Sequence, residues 1–593
     1  KLAKKYGFNA VKSCVDVITE EYMEAADEAG FMVIQEMPFG LSTLRENKTN
    51  INKEFREYYT KELDKIIQMS RNHACVVCYS MTSELNFWGQ SKESFEFFNQ
   101  FLVARTRELT AGSIVTDGTG YIIPKQTNLG LRDTDWSSKG HVFRDVFDES
   151  NIEKDEEHPS PIVLHEYNWW SNYPDPSKQD KYLKTQYKPF WYKELYESAK
   201  KNEQEDLIDI YHENSVWLQA ICRKEGIEFA RRIGVEGYIL WLLIDMPEAC
   251  EGLLDNWWEP KNVTAEEFLQ SNADTVIILG KEKSRCFEMG KTIEIPLAVS
   301  HYGTKEIKKS NIKWTILTDK KIITEGTLDA SSLANAELTE CGSVKIKLPI
   351  RPMAYKFELR VEMISKGKKI NKNHWDFWAL KDIRTEYASI LNGRNTNSAG
   401  ISCRFIDMMP SDIIQNTKLL ITDMVDEQLV KYLKNGGRCI LLSHDSNIEN
   451  KQSDCNFFRT IPWNRGVTGN SGTVISPHPS LDKFPHESRC DLQFVDLIKG
   501  IYPIEFDNLK NYGVEPVIRA IDHYKSNKNK AYLLEFNVSD GKVLVTTFAI
   551  RQKFATNIET RYFLQCLIDY AVSDDFQPKA VIPEKEFLQF FQS

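Results

Sequence analysis

Cys75-Val76-Val77-Cys78-Tyr79-Ser80-Met81-Thr82-Ser83-Glu84 is an apolar run that ends on a carboxylate. Its first eight residues read as a strand buried on both faces, the pattern of a parallel sheet. Pro161-Ile162-Val163-Leu164-His165-Glu166 repeats the arrangement, with a strand expected over Ile162–Glu166. Outward from these two, strands and helices alternate from residue 7 to about 270. Further strands are expected at Phe8–Cys14, Phe31–Glu36, Ser113–Asp117, Gly140–Phe143 and Gly237–Leu242. Helices are expected at Thr19–Ala29 (closed by Gly30), Phe55–Ser70, Glu93–Leu109 and about Glu213–Ile233. Repeated βα units predict a parallel sheet with helices outside it. Seven strands are one short of a (β/α)8 TIM barrel. Lys1-Leu2-Ala3-Lys4-Lys5-Tyr6-Gly7 reads as a helix end capped by a left-handed glycine, so the first barrel strand is expected upstream.

The pattern changes after residue 272. Short alternating strands at Thr292–Val299, Asn311–Leu317, Gly342–Leu348 and Ala354–Ile364 predict a β-sandwich over 273–382. From 383 to 593 βα units return: strands at Lys418–Thr422, Arg438–Ser443 and Val543–Phe548, and helices at Asp426–Lys434 and Asn557–Ala571. A third domain of α/β doubly wound type is expected.

The 593 residues are 41% hydrophobic and 27% charged, ordinary for a globular multidomain protein. A net charge of −10 offers no basic face, which disfavours nucleic acid and anionic membrane as partners. No apolar run approaches the ~18 residues of a membrane span. The twelve cysteines are scattered and read as buried free thiols. Cys75 and Cys78 face opposite sides of their strand and no second CxxC exists, so zinc is not expected. Asp117 and Asp245 lack the clustered spacing of a metal site. Oligomeric state has no signature.

A carboxylate at the C-terminal end of a parallel strand lies where barrels do chemistry. Two such carboxylates facing one pocket suffice to hydrolyse a glycosidic bond: one attacks the anomeric carbon or activates water, and the other protonates the leaving oxygen. Glu84 and Glu166 are the candidates. No organic cofactor is called for, because the carboxylates do the proton and covalent work. Aromatic faces stack on sugars, which singles out Trp169 and Trp241; Tyr167 lies in the same aromatic run. Asp16 and Glu36, at strand ends, could bind sugar hydroxyls. Ser443-His444-Asp445 is sequential and cannot form a triad within one strand; no Gly-x-Ser-x-Gly elbow is present.

Arg71-Asn72-His73-Ala74 followed by the Cys75–Glu84 run and Leu85 resembles the glycoside hydrolase family 2 signature, Arg-Asn-His-Pro-Ser, a strand, then Asn-Glu-Leu. Gly7-Phe8-Asn9-Ala10-Val11-Lys12-Ser13 is similar to that family's second barrel strand. Tyr22–Val33 resembles the helix and third strand that follow, and His165-Glu166-Tyr167 the nucleophile strand. Gly237–Asp245 is similar to the eighth strand, with Trp241 at its sugar-contacting tryptophan, and Gly252-Leu253-Leu254-Asp255 to the run beyond it. The resemblance implies a retaining exo-β-glycosidase with Glu84 as acid/base and Glu166 as nucleophile, acting on an oligo- or polysaccharide, in a periplasmic or secreted setting. It implies sugar contacts at Ser83, His165 and Trp241. Ser83 stands where the family has Asn, Ala74 replaces Pro, and Cys14-Val15-Asp16 replaces a His-containing stretch, a divergent branch that leaves the sugar open. Asn373–Trp378 resembles the last strand of an immunoglobulin-like module. Ile421-Thr422-Asp423 and Gly436-Gly437 resemble glutamine-amidotransferase-like accessory domains. A non-catalytic carbohydrate-binding protein on a decayed barrel and a transglycosylase using the same pair stand as alternatives.

Overall fold

The computed structural model describes residues 1–39, 51–83, 92–110, 112–119, 137–139, 161–186, 188–246, 249–280, 284–382, 396–398, 401–405, 417–443, 472–498 and 501–591. The expected strand at Gly140–Phe143, Glu84, His444 and Asp445 lie outside them.

Seven parallel strands form two arcs. β1 (Ala10–Lys12), β2 (Met32–Glu36), β3 (Val76–Ser80) and β4 (Ile114–Thr116) pair in that order; β5 (Ser137–Lys139), β6 (Ile162–Tyr167) and β7 (Gly237–Leu240) form the second arc. The helices between them start and stop where local chemistry dictates. Thr19 caps Glu20–Ala29 by accepting from Tyr22 N, and Gly30 closes it at φ 59. Asn52 caps Lys53–Ser70 through Phe55 N. The helix expected over Glu93–Leu109 carries a π-helical stretch, Glu96–Phe101, which buries Phe97, Phe98 and Asn99 in succession. Asn99 Nδ2 then donates to Asp117 Oδ2 at 3.0 Å, just past β4.

The long helix begins at Ile208, five residues before the expected start, and runs to Arg232. A helix at Phe190–Lys201 was not foreseen. From Asn214 to Ala230 the long helix has no exposed residue. Covered on every side, it lacks the polar face that gives a helical period in sequence.

Residues 275–380 form a two-sheet sandwich. Its strands are β8 (Thr275–Leu279), β9 (Cys286–Glu288), β10 (Thr292–His301), β11 (Asn311–Thr318), β12 (Lys321–Asp329), β13 (Glu337–Lys347), β14 (Tyr355–Ser365) and β15 (Lys368–Leu380). The sheet orders are β13-β10-β8 and β12-β11-β14-β15-β9, antiparallel except where β9 joins β15. Alternate residues of both sheets, such as Ile295, Val299, Leu359 and Phe377, make the core.

In the C-terminal region Ile401–Phe405, Leu419–Thr422, Arg438–Leu442 and Gly541–Thr546 run parallel. In the last three of these strands the side chains alternate between two cores. Leu419, Ile421, Ile440 and Leu544 pack with the Ile558–Val572 helix; Leu420, Cys439, Leu441 and Val543 pack with Glu427–Lys434 and Glu584–Phe591. The sheet then continues antiparallel through Lys530–Val538, Pro516–Ala520 and Thr473–Ile475, so it is mixed rather than wholly parallel.

Buried polar links fix the long helix to both neighbours. Arg285 Nη2, from the sandwich, donates to both oxygens of Glu225 at 2.6 and 2.7 Å. Burial works against ionisation of Glu228, but Lys224, Asn373 and Trp375 outweigh it and hold the carboxyl below its usual range. On the other flank the 521–529 loop docks against Phe190–Lys201 and the residues after it: Ser198 Oγ donates to Tyr524 O at 2.5 Å and Gln204 Nε2 to Asn527 O at 2.6 Å.

Two predictions follow from these contacts. Glu225→Ala strands the buried Arg285 guanidinium and should cost about 3–5 kcal/mol in a urea unfolding curve. His523 sits in the docking loop with Nδ1 accepting from Lys525 N at 3.2 Å. Burial lowers its pKa from 6.5 to about 4; Asp522 opposes the shift, while Lys525 and Lys530 add to it. The unfolded chain protonates this ring near 6.5 and the folded one only near 4, so its contribution to stability is lost as pH falls through that window. His523→Gln should flatten the fall in urea midpoint between about pH 6.5 and 4.

Candidate active site

The C-terminal ends of β1 and β2 meet through a buried ion pair. Lys12 Nζ lies 2.8 Å from Glu36 Oε1, their side chains 3% and 0% exposed. Val15 N donates to Glu36 Oε2 at 2.8 Å and Thr119 Oγ1 to Oε1 at 2.5 Å. Val15 reaches it from φ 52, a costly conformation for a β-branched residue. Glu36, expected to hold sugar hydroxyls, has these three internal partners. Strand-end position suggested a ligand contact; Lys12, one strand away, is the reason for its burial. Asp16 lies exposed on the loop after β1 and accepts from Val17 N. That loop is tied back by Gln35, whose Nε2 donates to Asp16 O at 2.9 Å.

Thr119 Oγ1 also reaches Ser83 Oγ at 3.5 Å, and the two residues form a parallel bridge beyond β3 and β4. Ser83 is 3% exposed. The residue that precedes Glu84 is thus seated on Thr119 and, through it, on Glu36.

Glu166, the penultimate residue of β6, is 6% exposed. Its φ is 47, and Asn168 follows at φ 64. Neither is glycine, and such residues cluster at functional sites because the surroundings must over-determine them. Here Asn168 Nδ2 donates to Arg223 O at 2.9 Å and its Oδ1 accepts from Trp170 Nε1 at 3.0 Å. His165 is fully buried, with Nε2 3.3 Å from Glu166 Oε1. Tyr167 is 1% exposed, burial pushes its phenol up, and its hydroxyl donates to Gly226 O on the long helix at 2.6 Å.

Trp169 and Trp241 pack together at 5.2 Å between ring centroids and 49° between planes. Trp241 N donates to Tyr167 O at 3.0 Å, joining the ends of β6 and β7. Beneath them is Glu251, a carboxylate that sequence reasoning missed. It is fully buried, and Trp241 Nε1 donates to its Oε2 at 2.9 Å. Burial pushes its pKa up to about 7 against the indoles of Trp169 and Trp241 and the Ser171 hydroxyl. Glu251 ends no strand; the available signal was a carboxylate directly before Gly252-Leu253-Leu254-Asp255.

At the opposite end of β3, Asp27, His73 and Cys75 bring their donor atoms within 4.8 Å of one another. Asp27 bonds His73 Nδ1 at 2.8 Å and Cys75 N at 2.6 Å, while the thiol faces Met23 O. Burial, with Asp27, pushes that thiol up to about 12, which suits a protonated clasp between helix and strand rather than a thiolate ligand.

The strand-end acid, its buried histidine and the paired tryptophans lie within or against a stretch that a family model recognises: the TIM barrel domain of glycosyl hydrolases family 2 matches residues 1–188. Two domains of unknown function match elsewhere, DUF8488 over 291–380 and DUF8487 over 420–592. No curated protein matches the chain. Among solved structures, the β-D-mannosidase of Dictyoglomus thermophilum is similar at 15% identity and TM-score 0.43, over 64% of this chain and 47% of that one. The exo-chitosanase CsxA of Amycolatopsis orientalis is similar at 11% and 0.42, over 63% and 45%. The β-glucuronidase of Parabacteroides merdae is similar at 13% and 0.32, over 64% and 45%. The chain spans less than half the length of each.

Lys12→Met should leave the Glu36 carboxylate buried without its cation. The expected loss is about 3–5 kcal/mol by urea unfolding, with Lys12→Arg closer to wild type.

Proposed function

We propose that the chain is a retaining exo-β-glycosidase acting on an oligo- or polysaccharide. The observation that carries the reading is Glu166: a nearly buried carboxylate at the C-terminal end of a parallel strand, in a segment of family 2 type, beside two packed tryptophans. Glu166 attacks the anomeric carbon as the glycosidic bond breaks, forming a glycosyl ester. Glu84 gives its proton to the leaving oxygen, then takes one from the water that hydrolyses the ester, so the product keeps its β configuration. His165, 3.3 Å from Oε1, helps orient the nucleophile. Ser83 takes the place of the family's asparagine next to the acid, which makes it the position to examine for sugar preference. Trp241 and Trp169 offer aromatic surface to the sugar ring.

The 275–380 sandwich supports an immunoglobulin-like reading, since it packs two sheets, β13-β10-β8 and β12-β11-β14-β15-β9, antiparallel except where β9 joins β15. The C-terminal sheet, with helices on both faces of its parallel half, is compatible with a glutamine-amidotransferase-like accessory domain.

A panel of aryl β-glycosides, covering neutral, amino and uronic sugars, should identify a substrate. Glu166→Gln should then lower kcat by at least about 10⁴-fold, the order lost with other essential nucleophilic machinery, with an unchanged circular dichroism spectrum. A 2-deoxy-2-fluoro analogue of that sugar should add its mass to the Glu166 peptide. An α-anomer as the first product by NMR would sink the retaining reading.

A further inference from the structure

We propose that Glu251 is the positioning residue of the barrel mouth: its carboxylate holds the Trp241 and Trp169 indoles in the tilted arrangement against which a sugar ring packs. The inference rests on the glycosidase reading for the sugar, and on geometry for the link itself. Trp241 Nε1 donates to Oε2 at 2.9 Å and Ser171 Oγ to Oε1 at 3.3 Å. These donors are neutral; the nearby Arg223 guanidinium bonds the backbone carbonyl of Glu251, and its charge also acts on the carboxyl.

The backbone beneath it is clamped. Arg223, 2% exposed on the long helix, donates to the carbonyls of Glu251 and Gly252. Gly252 N donates to Asp245 Oδ1 at 2.6 Å. A Cβ at Gly252 would lie 2.2 Å from Asp245 N and 2.4 Å from Leu254 O, so glycine is the residue that permits this approach. The other charged and titratable groups facing the site are already engaged or protonated. Asp245 pairs with Lys261 at 2.6 Å. Lys261 also donates to Asn172 Oδ1 and Cys250 O. The Cys250 thiol is pushed up by burial. Burial pushes the Glu251 carboxyl up to about 7, and Asp245 adds to that rise. A carboxylate accepts an indole N–H more strongly than a neutral acid does, so its grip on the tryptophans tightens as pH rises through about 7.

Two measurements test the link. Intrinsic tryptophan emission of the full chain, scanned from about pH 5.5 to 8.5, should show a step centred near pH 7. Glu251→Gln and Trp241→Phe should each remove it. A step that persists in Glu251→Gln overturns the proposal. On the aryl glycoside identified above, Glu251→Ala should raise KM about tenfold with kcat changed far less, the scale of one lost hydrogen bond to a charged group, and Glu251→Gln should recover part of the loss. A KM unchanged in both variants also overturns it. Should Glu251→Ala fail to fold, the near-isosteric Gln variant carries both readouts. The emission experiment needs no turnover, so failure of the glycosidase reading and failure of the Glu251 link are separable.

Discussion

The Ile208–Arg232 helix is the constraint to which the other parts answer. From Asn214 to Ala230 the helix is covered, so a charge there must find a partner inside. Arg223 goes to carbonyls at the barrel mouth, Glu225 to Arg285 of the sandwich, and Glu228 to Asn373 and Trp375 of β15. Asn214 Nδ2 reaches Thr473 O in the C-terminal sheet at 2.8 Å. Apolar contacts alone would allow these bodies to slide. Directional bonds with buried ends do not, because a shifted register leaves charges unpaired. The helix therefore sets where each body sits, while the shared core of Trp170, Leu218, Cys222, Trp378 and the C-terminal strands supplies the burial.

What was legible in the sequence follows from the same distinction. The strands at 32–36, 76–80 and 162–167 were readable because a strand buried on both faces is an apolar run with a clear end. The Thr19 and Gly30 caps announced their helix. The long helix lost its true start because Leu207 supplies no side-chain cap and a short 3-10 turn at Glu205–Leu207 runs directly into it. Glu166 could be singled out since it ends a strand in a recognisable motif. Glu36 has the same local appearance, yet its role is set by Lys12, 24 positions earlier and one strand over. Position at a strand end is a local property, whereas burial with a counter-charge is a property of the fold. Glu251 shows the converse: nothing local marks it, and it becomes visible once Trp241 is seen to donate to it.

The strand end that carries Glu166 depends on parts far from it in sequence. Residues at positive φ, such as Glu166 and Asn168, cost on the order of 1–3 kcal/mol each and persist where neighbours leave no relaxed alternative. Asn168 is held by Arg223 O from the long helix. A few residues on, Tyr173 N donates to Ser215 Oγ at 2.8 Å and its hydroxyl to Asn527 Oδ1 at 2.7 Å. That last bond joins residues 354 positions apart and comes from the C-terminal region. The segment 166–173 is thus pinned at its start by the sheet, along its length by the long helix, and at its far end by the docking loop. A strained carboxylate can keep its direction at a strand end when the chain leaving it is anchored from outside the strand. This assigns the C-terminal region a mechanical part in the candidate site, whatever else it does.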